Sequence, residues 1–357
     1  MSKVKFGDIV KDVKDNVDRD NNPYEFYVAG DHMDSEDLNI RRRGRFATDD
    51  VGPAFTRIFK KGQVLYGSRR TYLKKVAVAD FDGICANTTF VFESKDPAAF
   101  EQRLLPFLML SEGFTNWSIA HSKGSTNPYV LFSDLASYEL NLPSLAEQKV
   151  LAEQLWAAYE VKQSYLKMIE ATEEMVKSQF IEMFTDKGYP LTMIKSFADV
   201  STGGTPSKAH PEYWNGDKPW VSAEDMKSKY VYDTCEKVTE AGYATCKIIP
   251  VDTLMYVCRG SIGVMAINKI ECATNQSICR ATCHNNVCNV EFLYHALMYQ
   301  RDNIKKKGTG TSFKSLNQTT FSELEIELPP YDEQMKFVTI AEQADKSGSV
   351  LQYMITC

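Results

Sequence analysis

The sequence of 357 residues has no run of about 18 apolar residues, the length that a membrane-spanning helix requires. Met1-Ser2-Lys3 continues directly into mixed polar sequence, without the apolar stretch of a signal peptide. We therefore expect a cytoplasmic protein with neither a membrane span nor a leader. Nine cysteines, an odd number, favour reduced thiols over a disulfide framework.

Catalytic signatures are also scarce. The chain has five histidines, too few for several acid-base sites, and no G-x-x-x-x-G-K-[ST] loop for ATP. The formal net charge of −6 argues against nucleic-acid binding by overall charge, because neutralising phosphates requires clustered Lys and Arg.

Local charge differs from overall charge. Clusters of basic residues lie at Arg41-Arg42-Arg43-Gly44-Arg45, at Arg57 with Lys60-Lys61, at Arg69-Arg70, at Lys74-Lys75 and at Lys305-Lys306-Lys307. Any one such cluster is usually solvated surface. The first clusters alternate with tyrosines and glycines, which is typical of a scaffold that places cations against phosphates.

The sequence is duplicated. Gly124 and Gly310 are separated by 186 residues, and the same 186 separates Pro143 from Pro329 and Gln148 from Gln334. Looser correspondences join Val64–Arg70 to Leu254–Gly260 and Asn87 to Asn275. A repeat this long indicates two related domains rather than a solenoid of short repeats.

Each domain is followed by a predicted helix. Residues 146–184 contain no Pro or Gly and have apolar residues at spacings of three and four, which predicts a coiled-coil helix about 58 Å long at ~1.5 Å per residue. Residues 334–357 show the same spacing, but the helix is short and Ser347-Gly348-Ser349 weakens its middle. Alternatively, both are ordinary amphipathic helices packed on their own domains.

Within the domains, residues 62–66, 76–79, 253–257 and 264–267 are predicted strands, and residues 100–110 and 291–299 are predicted helices. The expected fold class is α+β: two domains of mixed α/β type with short strands, each followed by a helix. The predicted bounds are 1–145 and 188–332 for the domains, and 146–187 and 333–357 for the helical connectors.

These residues together resemble the specificity subunits of type I restriction-modification systems. Gly-Gly-Thr-Pro-Ser at 203–207, with residues 211–216 and 219–222, looks like the opening of a target-recognition domain. Residues 259–263 with Asn275-Gln276 are similar to its middle, and residues 328–334 to its exit into the spacer. Residues 27–34, 66–73, 142–143 and 147–148 resemble another subclass of the same domain.

The resemblance implies two target-recognition domains joined by long antiparallel coiled-coil spacer helices, in a subunit that reads DNA and has no chemistry of its own. Each domain would read one half of a bipartite DNA site, and the helices would dock methyltransferase subunits, beside an ATP-driven restriction subunit. S-adenosylmethionine, ATP and Mg²⁺ would belong to those partners. Asn22-Pro23-Tyr24 and Asn127-Pro128-Tyr129 each lack one proline of the Asn-Pro-Pro-Tyr motif of adenine methyltransferases, and we interpret both as turns.

Candidate DNA contacts are hydrogen-bonding or cationic residues on the predicted loops, since Arg and Lys suit guanine, and Asn and Gln suit adenine. In the first domain they are Arg41, Arg42, Arg43, Arg45, Arg69, Arg70, Tyr72, Lys74, Lys123, Ser125 and Thr126. In the second domain they are Gly203, Gly204, Thr205, Ser207, Arg259, Ser261, Asn275, Gln276, Thr309, Thr311, Ser312 and Lys314. The predicted partner-binding seam consists of Leu151, Leu155, Ala158, Tyr165, Ile169, Val176 and Met183.

Two alternatives remain open on the residues alone. One is a two-domain protein-interaction scaffold without DNA sequence specificity. The other is a metal site built from Cys272, Cys279, Cys283, His284 and Cys288, whose spacings fit a zinc knuckle only loosely. We expect these cysteines to be reduced core or surface residues, with no metal bound. Separately, the short C-terminal helix leaves open self-association through the spacer helices, in which another copy would complete the helical pair.

Overall fold

The computed structural model describes residues 2–18, 21–306 and 316–356. The chain divides into two compact units, Met1–Lys162 and Gln163–Cys357. The boundary between the units lies within the longest helix.

The described residues of the first unit form ten short strands and four short α-helices, followed by the long helix. The strands are β1 (Ser2–Lys5), β2 (Val10–Asp12), β3 (Phe26–Val28), β4 (Gly44–Arg45), β5 (Phe55–Phe59), β6 (Val64–Gly67), β7 (Val76–Val78), β8 (Gly83–Ala86), β9 (Thr89–Ser94) and β10 (Glu139–Leu142). The helices are α1 (Phe6–Ile9), α2 (Leu105–Leu110), α3 (Glu112–Ala120), α4 (Phe132–Ala136) and α5 (Leu145–Phe184).

Two four-stranded sheets form the centre of this unit. Their strand orders are β2-β9-β6-β7 and β4-β3-β8-β5, and β1 pairs separately with β10. The central strand β6 is buried over three consecutive residues, as expected for a strand covered on both faces. Phe6, Phe92 and Phe114 pack against one another at its side, with ring centroids 4.9 to 5.7 Å apart.

The second unit repeats this composition. Its strands are β11 (Leu191–Met193), β12 (Ala198–Thr202), β13 (Trp214–Val221), β14 (Tyr230–Val231), β15 (Lys237–Val238), β16 (Leu254–Val257), β17 (Met265–Asn268), β18 (Ala273–Thr274), β19 (Ile278–Cys283) and β20 (Glu325–Glu327). Its helices, besides the end of α5, are α6 (Glu240–Tyr243), α7 (Val290–Lys306), α8 (Gln318–Ser322) and α9 (Tyr331–Thr356).

One sheet of each unit has the same strand order as its counterpart in the other unit. The order β12-β19-β16-β17 in the second unit follows the order β2-β9-β6-β7 in the first, with β14 added at the edge. The pair β11 with β20 corresponds to the pair β1 with β10. The predicted duplication is thus confirmed at the level of topology, and the four predicted strands and two predicted helical regions are present.

Helix α5 has 40 residues without a break, which confirms the predicted helix. The apolar residues that it buries differ in part from the predicted seam. Val176 is buried and Leu155, Tyr165, Ile169 and Met183 are half-buried, whereas Leu151 and Ala158 are exposed. Fully buried positions instead include Ala152, Tyr159, Phe180 and Phe184. The aromatic side chains reach further into the cores of the units, which shifts the buried stripe by one residue.

Helix α9 has 26 residues and continues through residues 347–349, although Gly348 was expected to weaken it. The hydroxyls of Ser347 and Ser349 donate to the carbonyls of Gln343 and Asp345, four residues earlier, at 3.0 and 2.9 Å, so both hydroxyls find their acceptors within the helix. In the second unit α9 runs antiparallel to α5. Phe337 meets Phe180 near the start of α9, and residues 344–352 face residues 169–177 across a groove.

The cysteines lie mainly in the core of the second unit. Cys272, Cys279 and Cys288 are buried, and Cys283 is half-buried. Within residues 2–18, 21–306 and 316–356, no three His, Cys, Asp or Glu side chains are arranged to hold a metal ion. The imidazole of His284 lies instead 3.3 Å from the Asp199 carboxylate at the surface.

Candidate nucleic-acid interface

The loop between β6 and β7 presents Arg69, Arg70 and Tyr72 to solvent. Arg70 and Lys74 have φ angles of +51° and +47°, the left-handed region that non-glycine residues rarely adopt. They flank a single 3₁₀ turn, on which the Tyr72 side chain is 53% exposed. Strained backbone and an exposed aromatic side chain together are typical of a binding loop.

A second loop of the first unit contacts the first. Lys123 and Tyr129 exchange two backbone hydrogen bonds, at 2.7 and 2.9 Å, and so close a tight loop over the residues between them. Ser125 and Thr126 lie exposed in this loop. The Nε of Arg70 donates to the Asn127 side chain at 3.3 Å, which joins the two loops into one surface.

The arginines of the cluster Arg41–Arg45 differ from those of the two loops, because most of them lie against carboxylates. Arg41 pairs with Asp37 at 2.7 Å, Arg42 contacts Asp34, and Arg45 pairs with Glu25 at 2.7 Å. The Arg43 guanidinium lies over the ring of Phe26, 4.3 Å from its centroid. These carboxylates reduce the net charge that the cluster can offer to a phosphate.

Asp37 shows how far this neutralisation extends. Its partial burial favours the protonated form, but hydrogen bonds from Arg41 and Tyr159 outweigh that effect and hold the pKa of Asp37 below its ordinary value. Lys74 likewise contacts Glu36. For Arg69 and Arg70, by contrast, no carboxylate lies within ion-pair distance among the residues that the structure describes.

In the second unit three loops meet at one end of the central sheet: residues 203–207, 258–264 and 275–277. The Gly204 amide donates to the Thr274 carbonyl at 2.8 Å, and the Thr205 hydroxyl donates to the Gln276 side chain. A Cβ at Gly203 would lie 2.1 Å from the Thr274 carbonyl oxygen, so the close approach of these loops requires glycine there.

The candidate residues of these loops have different environments. Arg259, Ser261, Thr205, Ser207 and Gln276 are exposed. Asn275 is half-buried, and its side-chain oxygen accepts hydrogen bonds from the Ser277 amide and hydroxyl at 3.0 and 2.6 Å, which makes it a turn-forming residue. The candidates Thr309, Thr311, Ser312 and Lys314 lie outside the described residues.

A buried arginine supports the loop of residues 203–207. Arg280 on β19 is 1% exposed and donates to the Thr202 carbonyl at 2.6 Å and to the Lys247 carbonyl at 2.7 Å. Its burial lowers the pKa of the guanidinium. Sequence reasoning missed this residue, because an arginine among buried strand positions gives no periodic signal. The bond to Thr202 holds the backbone at the end of β12, directly before Gly203, and the bond to Lys247 ties a second segment to it.

The loop between β6 and β7 and the loop between β16 and β17, which we call the central loops, are held by matching backbone hydrogen bonds. In the first, the Ser68 amide donates to Thr88 at 3.1 Å and the Ser68 carbonyl accepts from Val130 at 2.9 Å. In the second, the Cys258 amide donates to Ser277 at 2.8 Å and the Cys258 carbonyl accepts from Leu316 at 2.9 Å. Val130 and Leu316 are again 186 residues apart, so the sequence offset is also a structural one.

Exposed apolar side chains lie on the spacer helices. In the first unit they are Val150, Leu151 and Val161, and in the second unit they are Met168, Met175, Ile181, Val350, Tyr353 and Met354. Met168 and Met175 are seven residues apart on α5, and are 52% and 43% exposed. Such a spacing presents one face to a partner helix. All described helices are too polar or too short to cross a bilayer.

Comparison with known proteins agrees with this geometry. The sequence matches the family profile described as "Type I restriction modification DNA specificity domain" twice, over residues 3–167 and 188–351. The specificity subunit of the type I restriction enzyme MjaIX of Methanocaldococcus jannaschii is 31% identical over 166 residues, which is 44% of this chain and 38% of that protein. The subunit of HindI from Haemophilus influenzae is 27% identical over 170 residues, 44% of this chain and 36% of that protein.

Each of these matches therefore spans less than two-fifths of the relative's length. Among solved structures, a type I restriction-modification S subunit from M. genitalium superposes with a TM-score of 0.62 at 16% identity, covering 99% of this chain and 92% of that chain. A chain from a structure concerned with complex assembly of the type I R-M system superposes with a TM-score of 0.54 at 17% identity and the same coverage. With two matched domains that fill most of its length, the chain belongs to the family of type I restriction-modification specificity subunits.

Proposed function

We propose that this chain is the sequence-specific DNA-binding subunit of a type I restriction-modification complex, and that each unit reads one half of a bipartite site. The observation that carries the proposal is the matched pair of exposed loops, β6–β7 and β16–β17, each held at the same place in its unit. Two readers of common architecture and different loop sequence suit two different short DNA sequences.

The chain itself is proposed to be non-catalytic. Its loops present cations, hydroxyls and amides, which are suited to phosphates and base edges. Methylation and cleavage are assigned to methyltransferase and restriction subunits, and S-adenosylmethionine, ATP and Mg²⁺ to those partners. Such a complex would act on DNA in the cytoplasm.

The test is DNA binding by this chain together with its methyltransferase partner. Methylome sequencing of a host that expresses both gives the methylated sequence, and fluorescence anisotropy compares a duplex that carries it with a scrambled duplex. We expect affinity for the first to exceed affinity for the second by about 10³-fold or more, and to fall steeply between 50 and 200 mM salt. Equal affinity for both duplexes, or affinity insensitive to salt, would favour a protein-interaction scaffold instead.

We further propose that the exposed apolar face of α5 docks a methyltransferase subunit. Met168→Glu and Met175→Glu place a charge on that face without touching the buried residues Val176 and Phe180. We expect each variant to fold, as judged by circular dichroism, but to lose co-purification with the methyltransferase subunit. Glu174→Gln, an exposed change on the same helix, serves as the matched control. Normal co-purification of both methionine variants would exclude this face.

A further inference from the structure

Two arginines occupy one structural position in the two units. Arg69 follows Ser68, and Arg259 follows Cys258. Ser68 and Cys258 are the residues whose amide and carbonyl make the matched pairs of backbone hydrogen bonds. Both arginines are exposed. The side chains of Arg69 and Arg259 therefore start from equivalent backbone positions in the two units.

The loops differ beyond this residue. After Arg69 the first loop continues as Arg70-Thr71-Tyr72-Leu73-Lys74, with two left-handed residues and an exposed aromatic ring. After Arg259 the second loop continues as Gly260-Ser261-Ile262-Gly263, with two left-handed glycines and no aromatic residue. The shared arginine thus stands at the start of two loops that present different chemistry.

The difference separates two kinds of DNA contact. Two half-sites of unlike sequence present different base edges, but their phosphates are the same. A side chain that both units hold at the same position suits the feature that both half-sites share. Loop residues that differ between the units suit the bases, which the half-sites do not share.

The charge environment fits a phosphate contact. Among the candidate cations of the first unit, Arg41, Arg42 and Arg45 each lie against a carboxylate, which neutralises their charge. Within the described parts of the chain no carboxylate pairs with Arg69 or Arg259, so neither guanidinium would first have to leave an ion pair. An exposed guanidinium that has no carboxylate partner among the described residues can bind a phosphate with two parallel hydrogen bonds.

We propose that Arg69 and Arg259 are equivalent phosphate contacts, one for each half-site, that set the orientation of each unit on the duplex. The inference rests on the proposed function. It adds that the shared arginines contact phosphates, whereas the loop residues that differ between the units contact bases.

The experiment uses the full chain in complex with its methyltransferase partner. Arg69→Ala, Arg259→Ala and the double variant are compared with the wild type by fluorescence anisotropy, on the methylated sequence and on a scrambled duplex, between 50 and 200 mM salt. Because each phosphate contact adds about 0.9 to the slope of log K against log salt, we expect each substitution to lower affinity roughly tenfold at 100 mM salt. Each should reduce the slope by about 1, and the double variant by about 2.

Further readouts separate a phosphate contact from a base contact and from a structural role. We expect each alanine variant to bind both duplexes more weakly by the same factor. Methylome sequencing of hosts that express the variants should give the same methylated sequence as the wild type. Arg69→Lys and Arg259→Lys should keep most of the wild-type affinity and salt slope. Arg103→Ala removes an exposed arginine next to α5, where its carbonyl accepts the Trp156 indole, and should change neither quantity.

Relaxed selectivity at one base pair with an unchanged salt slope would overturn the inference in favour of base reading. Unchanged affinity of both alanine variants would overturn it altogether. If the wild-type complex itself failed to distinguish the two duplexes, the proposed function would fail before any variant was compared. The two failures are thus distinguishable.

Discussion

Gln148 and Gln334 are equivalent residues of the two repeats, and both have a structural role in the interior of their units. Each is 1% exposed or less. The Gln148 amide donates to the carbonyls of Ala99 and Pro143, and its oxygen accepts from the Glu101 amide. Gln334 repeats the pattern on its own unit, with contacts to Val287, Pro329 and Asn289. The duplicated glutamine therefore fastens the start of each spacer helix to the domain before it.

Replacing Gln148 by Leu should destabilise the first unit. The substitution keeps the volume but leaves one amide and two carbonyls without their partner. Because a buried polar group left unpaired costs ~1–3 kcal/mol, we expect the free energy of unfolding to fall by about 3 kcal/mol. Urea denaturation followed by circular dichroism measures the change. Lys149→Ala, at the next and exposed position, should have little effect, and an equal loss there would contradict the explanation.

His295 on α7 predicts a pH dependence for the second unit. Its ring is buried, with Nε2 3.2 Å from the Lys229 ammonium and Nδ1 3.3 Å from the Tyr299 hydroxyl, and Lys229 in turn pairs with Asp345 and Glu291. Burial, and then the Lys229 charge, lower the pKa of His295 to about 3.

The sign follows from the protons bound in each state. Between about pH 3 and 6.5 the unfolded chain carries a protonated His295 and the folded chain does not, so the contribution of this residue is complete above pH 6.5 and is lost as pH falls. The maximal slope for one group is about 1.4 kcal/mol per pH unit. We expect His295→Gln to remove this slope from the unfolding free energy measured between pH 4 and 7. An unchanged slope would show that other groups dominate the acid sensitivity.

The two spacer helices are held to their units at equivalent positions. Tyr159 and Asp345 are 186 residues apart. The Tyr159 hydroxyl contacts Asp37 and accepts from the Leu38 amide at 2.9 Å. Asp345 accepts from Lys229 at 2.6 Å and from the Tyr230 hydroxyl at 3.0 Å. The attaching side chain is a tyrosine on α5 and an aspartate on α9, but each helix is fixed to its unit at the equivalent turn.

Tyr159→Phe tests this attachment of α5. The substitution keeps the ring but leaves the Leu38 amide without its acceptor, so we expect faster hydrogen exchange in residues 152–165 and a loss of about 1–3 kcal/mol in the stability of the first unit. Mass spectrometry of exchanged peptides reads out the first effect and urea unfolding the second. Asp345→Asn should loosen α9 in the same way without affecting residues 152–165. Uniform exchange rates across wild type and Tyr159→Phe would refute the attachment.

At the scale of the whole molecule, the sequence predicts what is local or repeated. The long helix, the strands that flank the central loops and the duplication itself all follow from spacing and offset. The pairing of Arg42 with Asp34 and of Arg45 with Glu25 does not, because it depends on a loop path that no periodic pattern encodes. The buried aromatic residues of α5 are missed for a related reason: a seam spacing cannot show which neighbouring residue points into a core.

Separate cores predict separate unfolding of the two units. Phe114 packs in the first unit, within the cluster around Phe6 and Tyr66, and Phe292 packs with Phe180 and Phe184 in the second. All of these side chains are buried. Each unit therefore has its own source of cooperativity, and the matched substitutions Phe114→Ala and Phe292→Ala test it.

Removing a buried phenylalanine ring costs about 3–5 kcal/mol, because apolar contacts are lost and a cavity remains. In differential scanning calorimetry we expect two transitions, of which Phe114→Ala lowers one midpoint and Phe292→Ala lowers the other. Val161→Ala, on the exposed face of α5, serves as the control and should move neither midpoint by much. If both phenylalanine variants moved one common transition, α5 would have to transmit stability between the cores, and the chain would unfold as a single cooperative unit.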